Sequence, residues 1–317
     1  MAEPAIVVRD LVCAFPGVKA VDRLSFEVNA GEIFGLVGPD GAGKTTTMRV
    51  LAGVLLPASG TATVAGFDVV REPERVKQQI SYMSQRFGLY EDLTVEENIC
   101  FYARIFGVTR GGVKRGRYRE RSERLLEAAR MAQFRSRLAG KLSGGMKQKL
   151  GLICALIHTP RVLLLDEPTN GVDPVSRRDF WRILYSLLDE GVAILTSTAY
   201  LDEAERCHRV ALVHEGRLLF CDQPDALKAR LRNQVIAIAA GEPRRVRDAI
   251  RGVSGVRGAV LVGDGVHLVV DDAGRAAAAL RSAMDSAGVP YTSVEPVTAS
   301  LEDIFVNAIE QQAGGAA

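Results

Sequence analysis

The residues with the clearest chemical purpose form a glycine-rich run at 38–46. The run reads Gly38, Pro39, Asp40, Gly41, Ala42, Gly43, Lys44, Thr45 and Thr46. It follows an apolar strand-like segment and precedes a helical pattern, which is the context of a phosphate-binding loop and disfavours a chance glycine-rich turn. Its glycines let backbone N–H groups point at phosphate oxygens, towards which the following helix also directs its positive end. Lys44 is suited to bridge the β- and γ-phosphates, and the Thr45 hydroxyl is suited to bind Mg²⁺.

A second feature is an apolar strand, 162–165, that ends in two carboxylates, Asp166 and Glu167. Taken alone, such an ending is also compatible with a surface turn. If the strand neighbours the phosphate-loop strand, Asp166 can hold the shell of the Mg²⁺ ion. Glu167 then faces the γ-phosphate and can polarise an attacking water.

A third feature is a run before a helical segment at 149–157. It comprises Leu142, Ser143, Gly144, Gly145, Met146, Lys147 and Gln148. Ser143 is a natural N-cap, and the two glycines leave backbone N–H groups uncovered. The sequence therefore predicts a second anion site at a helix N-terminus.

In this order, the motifs resemble those of the ATP-binding cassette (ABC) family over about residues 5–230. Residues 38–46 resemble its phosphate loop, 142–148 its signature and 162–168 its second acidic motif, although Met146 stands where the family more often has Gln. The resemblance implies a head-to-tail pair of cassettes. ATP would lie between the phosphate loop of one and the signature of the other.

The resemblance also implies roles for single residues. Gln85 matches the glutamine that senses Mg²⁺ and the γ-phosphate, so Gln85, Thr45 and Asp166 are the expected metal ligands. Catalysis is expected from Glu167 with Lys44 and Gln85. Asp173 belongs to the loop that crosses the dimer interface. Phe15 stands where the family stacks an aromatic ring on adenine, although a plain core residue is the alternative.

One position departs from the family pattern. Ala199 occupies the place of the histidine that donates a hydrogen bond to the γ-phosphate. Loss of such a donor lowers turnover by about 10²–10³-fold. His208 lies nine residues further on and is expected to be structural. Either a partner cassette supplies a complete site, or Glu167 and the remaining residues suffice for slow hydrolysis.

Hydrophobic periodicity predicts the elements that position these residues. The fold class is α/β: a P-loop NTPase cassette with a mainly parallel sheet, an antiparallel β subdomain and an α-helical signature subdomain, followed by a small α+β ferredoxin-like domain. We expect the cassette at 1–230, the small domain at 231–312 and a flexible tail at 313–317. The small domain is predicted from the order strand, helix, strand, strand, helix, strand after residue 234.

Composition excludes several classes of function. The 317 residues carry a net charge of +2, which argues against bulk attraction to nucleic acid. The basic stretch 110–124 alternates with acidic residues and is expected to be a solvated loop and helix face. The chain lacks a run of about 18 apolar residues that would span a membrane. Its five cysteines show no metal-ligand spacing and are expected to be buried thiols in a reducing compartment.

These features predict the ATP-binding and ATP-hydrolysing subunit of an exporter. The segment 87–98 resembles the region that contacts the permease, and Ser300–Phe305 resembles the end of drug-export ATPases. The expected cofactors are ATP and Mg²⁺. The expected partners are a second cassette, in a homodimer, a heterodimer or a fused protein, and an ABC-2-type membrane permease. The protein is then expected in the cytoplasm, at the inner face of the membrane. The alternative is a soluble ABC ATPase that acts on a ribosome or nucleic-acid complex.

Overall fold

The computed structural model describes residues 3–85, 88–108, 112–232, 234–250, 252–263 and 265–314, with side chains left undescribed at 112–117 and 311–314. The chain divides into two compact units after Leu218. In chain order the strands are β1 (Ile6–Phe15), β2 (Val18–Val28), β3 (Ile33–Val37), β4 (Ser59–Val64), β5 (Phe67–Asp68), β6 (Ile80–Met83), β7 (Val162–Asp166), β8 (Ala193–Thr198), β9 (Arg209–His214), β10 (Arg217–Asp222), β11 (Val235–Ala239), β12 (Val256–Val262), β13 (Gly265–Val270) and β14 (Ser293–Pro296).

The helices share no single length or burial pattern. They are α1 (Lys44–Leu51), α2 (Pro73–Gln79), α3 (Val95–Ile105), α4 (Gly112–Ala128), α5 (Gly144–Leu156), α6 (Pro174–Leu188), α7 (Leu201–Ala204), α8 (Pro224–Ala229), α9 (Pro243–Ala249), α10 (Ala273–Ser286) and α11 (Leu301–Gly314). Across the described ranges, each helix is too short or too polar to cross a lipid bilayer.

In a six-stranded sheet of order β10-β9-β3-β8-β7-β6, the strands from β9 to β6 form the centre of the first unit, and β10 crosses the division at Leu218. Strands β3, β8, β7 and β6 pair in parallel, and every residue of β3, β7 and β8 is buried. Burial on both faces explains why β3, β7 and the first half of β8 are continuous apolar runs and not alternating ones. The predicted parallel sheet is therefore confirmed, and the carboxyl ends of β3, β6, β7 and β8 lie at one edge.

The predicted antiparallel subdomain is also confirmed. It is a sheet of order β2-β1-β4-β5, in which β1 pairs with β2 and β4. The alternating patterns of β1 and β2 predicted this sheet. Strands β4 and β5 were missed, because Ser59–Val64 contains Gly60 and Ala62, which are depleted in strands, and Phe67–Asp68 is only two residues long.

Three helices, α3, α4 and α5, pack together as the predicted helical subdomain. Helix α3 begins with a capping box, in which Thr94 accepts from the backbone of Glu97 and Glu97 accepts in return. Helix α5 begins within the signature, at Gly144, which is five residues before the start of the helical run predicted at 149–157. It ends at Leu156. The predicted basic stretch 110–124 lies only partly within the described residues; its described part belongs to α4.

The second unit contains the predicted ferredoxin-like sheet. Its order is β12-β13-β11-β14, with antiparallel pairing throughout. Helices α9 and α10 contribute Val246, Leu280 and Met284 to a core that covers one face of the sheet. Asp303 of α11 is fully buried and contacts His267 of β13, with 3.2 Å between Asp303 Oδ1 and His267 Nδ1. The predicted tail begins inside α11, and residues 315–317 lie outside the described part.

Candidate nucleotide site

The phosphate loop leaves β3 and enters α1 through two glycines, Gly38 and Gly43, at which a Cβ would clash with a backbone carbonyl oxygen. Gly43 has a φ of 93°, and a Cβ built on it would lie 2.2 Å from the carbonyl oxygen of Ala20. A Cβ on Gly38 would lie 2.2 Å from the carbonyl oxygen of Val213. Side chains at these positions would push the loop away from the sheet, so the sequence at 38–43 fixes its compact shape.

Lys44 is almost completely buried within the loop, with 4% of its side chain exposed. Its Nζ donates to the carbonyl oxygens of Gly38 (2.8 Å) and Pro39 (3.0 Å) and lies 3.1 Å from Glu167 Oε1. A buried ammonium group held by two carbonyls and one carboxylate is positioned to exchange the carboxylate for a phosphate oxygen.

Thr45 and Asp166 meet at the edge of the sheet. The Thr45 hydroxyl donates to Asp166 Oδ1 at 3.0 Å, and the carboxylate is 1% exposed. Ser197 Oγ donates to the same oxygen at 2.7 Å, and the Tyr82 hydroxyl donates to Asp166 Oδ2 at 3.4 Å. Burial and the Asp166 charge raise the pKa of Tyr82 to about 12, so this hydroxyl keeps its proton.

Glu167 follows Asp166 with a left-handed backbone, φ 48°, which is rare for a residue with a side chain. Its backbone N–H lies 3.2 Å from the carbonyl oxygen and 3.0 Å from the Oγ of Ser197. These contacts with β8 hold the turn that directs the carboxylate away from β7 towards Lys44. Strain of this kind is commonly found at functional sites.

Of these groups, Lys44, Thr45 and Glu167 line a cavity of about 290 Å³. Its lining comprises Val18, Ala20, Asp40, Gly41, Ala42, Gly43, Lys44, Thr45, Thr46, Gln85 and Glu167. Gln85 is exposed and follows β6, at the edge of the sheet where the cavity lies. Phe15 is 46% exposed at the end of β1, which excludes the core alternative, although it does not line this cavity.

The signature residues 142–148 do not line the cavity either. Ser143 caps α5 by accepting a hydrogen bond from the Met146 N–H, as predicted. Gly145 packs against the start of α6: a Cβ on it would lie 2.5 Å from Ser176 Cβ and 2.9 Å from Asp173 Oδ2. Asp173 caps α6 by accepting from the Ser176 N–H at 2.9 Å, and that hydrogen bond lowers the pKa of its carboxyl.

Two positions bear on the missing histidine. Ala199 is exposed and follows β8 directly. His208 accepts a hydrogen bond at Nδ1 from the N–H of Ile33, at the end of β3 opposite the phosphate loop. His208 therefore has a structural role and does not replace the missing donor.

Ser197 and Tyr82 were missed by sequence reasoning, although both contact Asp166. The signal was present for Ser197: Thr196, Ser197 and Thr198 form a polar run inside a fully buried strand. Parallel pairing places Ser197 opposite Asp166, which gives its hydroxyl a buried partner. Buried polar side chains at the end of such a strand generally have hydrogen-bond partners of this kind.

Comparison with known proteins agrees with this geometry. The family model described as ABC transporter matches residues 21–170, and one described as ATP-binding protein DrrA1-3-like, C-terminal domain matches 223–309. The daunorubicin/doxorubicin resistance ATP-binding protein DrrA of Streptomyces peucetius is 37% identical over 81% of this chain and 77% of its own length. This chain belongs to the ABC transporter family of ATP-binding proteins.

Two further matches show how much of this chain resembles other proteins of the family, and how much of their length it covers. A probable multidrug ABC transporter ATP-binding protein, YbhF of Escherichia coli K12, is 42% identical over 97% of this chain. The chain spans 52% of the length of that relative. A solved ATP-binding subunit of an ABC transporter has a TM-score of 0.65 at 29% identity, covering 72% of this chain and 93% of that chain.

Proposed function

We propose that this ABC protein binds Mg²⁺-ATP in the cavity at Lys44 and hydrolyses it to drive export through a separate membrane permease. The observation that carries the proposal is the convergence of Lys44, Thr45, Asp166 and Glu167 at one edge of the sheet. Lys44 and the N–H groups of the loop would hold the phosphates. Glu167 would accept the proton of a water that attacks the γ-phosphate, and Gln85 would face that water and the metal.

The residues present fit a magnesium ion. Mg²⁺ is bound by oxygen ligands and commonly combines one or two protein groups with phosphates and waters. Thr45 Oγ1, Asp166 Oδ1 and the Gln85 amide oxygen are donors of that type. When bound, the ion would neutralise charge on the β- and γ-phosphates. Ser197 and Tyr82 would keep Asp166 oriented towards it.

The signature would bind the ATP held by a second cassette. The N–H groups of α5, which begins at the Ser143 cap, are suited to accept an anion from outside the chain. Gly145 ties this helix end to Asp173, so the signature and the dimer-crossing loop would move together. ATP would therefore stabilise a closed pair, and hydrolysis would release it.

An ABC-2-type permease is the partner that we propose; export itself is supported by the names of the relatives, which include multidrug, daunorubicin-resistance and Nod-factor export proteins. These names favour export over the ribosomal or nucleic-acid alternative. The chain would then work at the cytoplasmic face of the membrane. The second cassette would belong to another copy, to a different chain or to the same longer polypeptide.

The permease would contact the loop that follows Gln85. Phe87 of the predicted contact segment lies outside the described residues, but the rest is ordered around Asn98. The side chain of Asn98 accepts from the Tyr90 N–H at 2.9 Å and donates to the carbonyl oxygens of Tyr90, Leu93 and Thr94. Tyr90 itself is 48% exposed, which leaves a large aromatic side chain available to a partner.

We also propose the cassette at 1–230, an accessory domain at 231–312 and a short tail at 313–317. The ferredoxin-like topology that begins at β11 supports this division. We assign to the accessory domain a role in assisting dimerisation or regulation.

The proposal is tested by co-expressing the chain with the product of an adjacent permease gene. The wild-type chain should co-purify with the captured permease. ATP hydrolysis by the complex should be lost in Glu167→Gln. Capture without ATP hydrolysis, or hydrolysis insensitive to Glu167, would contradict it.

A further inference from the structure

The second oxygen of the Glu167 carboxylate has its own neighbour. Asn170 lies one turn further along the chain, with its backbone N–H 3.2 Å from the Glu167 carbonyl oxygen. Its side-chain Nδ2 lies 3.5 Å from Glu167 Oε2. An ionised carboxylate only accepts hydrogen bonds, so the donating end of the amide must face Glu167. The amide oxygen of Asn170 is thereby turned towards the other side.

The group on that other side is Tyr200, the residue directly after Ala199. The Tyr200 hydroxyl donates to Asn170 Oδ1 at 3.3 Å. The three side chains thus form one directed series, in which Tyr200 donates to Asn170 and Asn170 donates to Glu167. Each bond orients the next, because an amide that accepts at its oxygen presents its N–H groups in the opposite direction.

Tyr200 is held in place although it is 42% exposed. Its backbone N–H donates to Thr198 Oγ1 at 2.9 Å, and the Thr198 hydroxyl donates to Glu203 Oε2 at 2.9 Å. Glu203 is 2% exposed and also accepts from the hydroxyl of Thr169. The guanidinium of Arg177 lies 5.4 Å from the centre of the Tyr200 ring, within the range of a cation–π contact. The buried carboxylate therefore anchors both the end of β8 and the segment after Glu167.

We propose that Tyr200 and Asn170 are positioning residues for Glu167, and that they supply orientation where Ala199 offers no hydrogen-bond donor. The inference rests on the proposed hydrolysis of ATP. When the γ-phosphate draws Lys44 away from Glu167 Oε1, Asn170 still holds Oε2. Oε1 is then free to take a proton from water while the water oxygen bonds to the γ-phosphorus and the bond to the leaving ADP oxygen breaks.

The first test is a double-mutant cycle on the full chain. Tyr200→Phe removes the hydroxyl and keeps the ring over which Arg177 lies, and Asn170→Ala removes the link itself. Each single change should lower kcat for phosphate release about tenfold, because a base held in place contributes more than a mobile one. The KM for ATP and the unfolding temperature should not change. Since both residues act in one series, the double variant should be no slower than the slower single variant.

A matched control is Tyr185→Phe. The Tyr185 hydroxyl donates to the carbonyl oxygen of Arg206 at 3.0 Å and belongs to no contact with Glu167. This variant removes the same chemical group from a tyrosine of similar exposure, 41% against 42%. The kcat of Tyr185→Phe should equal that of the wild type. The comparison then separates the loss of the Tyr200 hydroxyl from the loss of a tyrosine hydroxyl in general.

Rescue provides a readout that a purely structural role would not affect. Ala199→His should raise kcat by a larger factor in the Tyr200→Phe background than in the wild type. The new histidine supplies a hydrogen-bond donor beside a site that has lost the Tyr200 hydroxyl. Wild-type kcat in Tyr200→Phe, or multiplicative losses in the double variant, would overturn the positioning role and leave the hydrolysis proposal intact. A wild-type chain without turnover sensitive to Glu167→Gln would overturn the hydrolysis proposal as well.

Discussion

Lys44 Nζ and Glu167 Oε1 lie 3.1 Å apart, and both side chains are almost completely buried. The ion pair joins the proposed phosphate-binding cation to the proposed base. A γ-phosphate that enters the cavity must compete with Glu167 for the ammonium group of Lys44. In the proposed function, binding of ATP would therefore also release the base, since the phosphate that takes Lys44 would free Glu167 Oε1.

This competition makes Glu167→Gln informative beyond loss of activity. A neutral amide cannot hold Lys44 as strongly, so ATP should bind several-fold more tightly while phosphate release falls by at least about 10². Affinity is measured with a fluorescent ATP analogue, and release with a phosphate-binding reporter. Unchanged affinity would show that the ion pair does not oppose nucleotide binding.

A second prediction concerns the contact between the signature and α6. Gly145→Ala places a methyl group 2.5 Å from Ser176 Cβ, so the start of α5 must shift. The unfolding free energy should fall by about 1–3 kcal/mol, the usual cost of overpacking. Gly144→Ala is the matched control for stability, because nothing lies within 4 Å of the position that its methyl group would take. Equal stability of the two variants, measured by urea unfolding, would contradict the packing role of Gly145.

A third prediction concerns the position after β8. Ala199→His introduces a donor where the family places one, and kcat should rise by about tenfold or more. ATP affinity should change little, because the donor acts on charge that develops during hydrolysis. Steady-state assays over a range of ATP concentrations separate the two effects. A fast wild-type chain that Ala199→His does not improve would contradict the idea that the site is incomplete at Ala199.

A fourth prediction concerns pH and the stability of the first unit. Burial lowers the pKa of His158 to about 4, while its ring stacks on Phe106 and its Nε2 lies 3.2 Å from the Ile80 carbonyl oxygen. Because the folded pKa lies below the unfolded one, near 6.5, the unfolded chain binds more protons as the pH falls between these values. This histidine should therefore lower the free energy of unfolding by about 3 kcal/mol between pH 7 and pH 4.

The measurement is urea unfolding of the wild type and His158→Gln at pH 8, 6 and 5. The variant loses the titrating ring but can still donate to the Ile80 carbonyl oxygen. Its stability should approach, or exceed, that of the wild type as the pH falls. A constant difference between the two proteins would show that His158 is not buried in its neutral form.

Much of the fold could be predicted because its signals are local. The strands Ile33–Val37 and Val235–Ala239 are examples of elements that the sequence pattern indicates. Both are short, continuous and apolar, with turn residues on either side. Helix α1 ends at Leu51, although apolar residues continue beyond it, since the residues that follow belong to the turn before β4. Periodicity alone cannot separate a helix end from an apolar turn.

The site divides in the same way. The phosphate loop, the signature and the acidic motif are each a contiguous run of residues, so the residues of each motif could be predicted from the sequence. The contacts of Ser197 with Asp166 and of Tyr200 with Asn170 join distant segments, and no local pattern encodes which residue lies opposite which. The left-handed backbone of Glu167 was equally unpredictable, because it depends on hydrogen bonds to β8.

The most direct test of the account is a single-turnover experiment with γ-labelled ATP and Mg²⁺ on the full chain. The wild type should bind ATP and release labelled phosphate, whereas Glu167→Gln should bind ATP at least as tightly and release almost none. Equal release by the two proteins, or failure of the wild type to bind ATP, would contradict the central claim that the Lys44 cavity binds the nucleotide and Glu167 cleaves it.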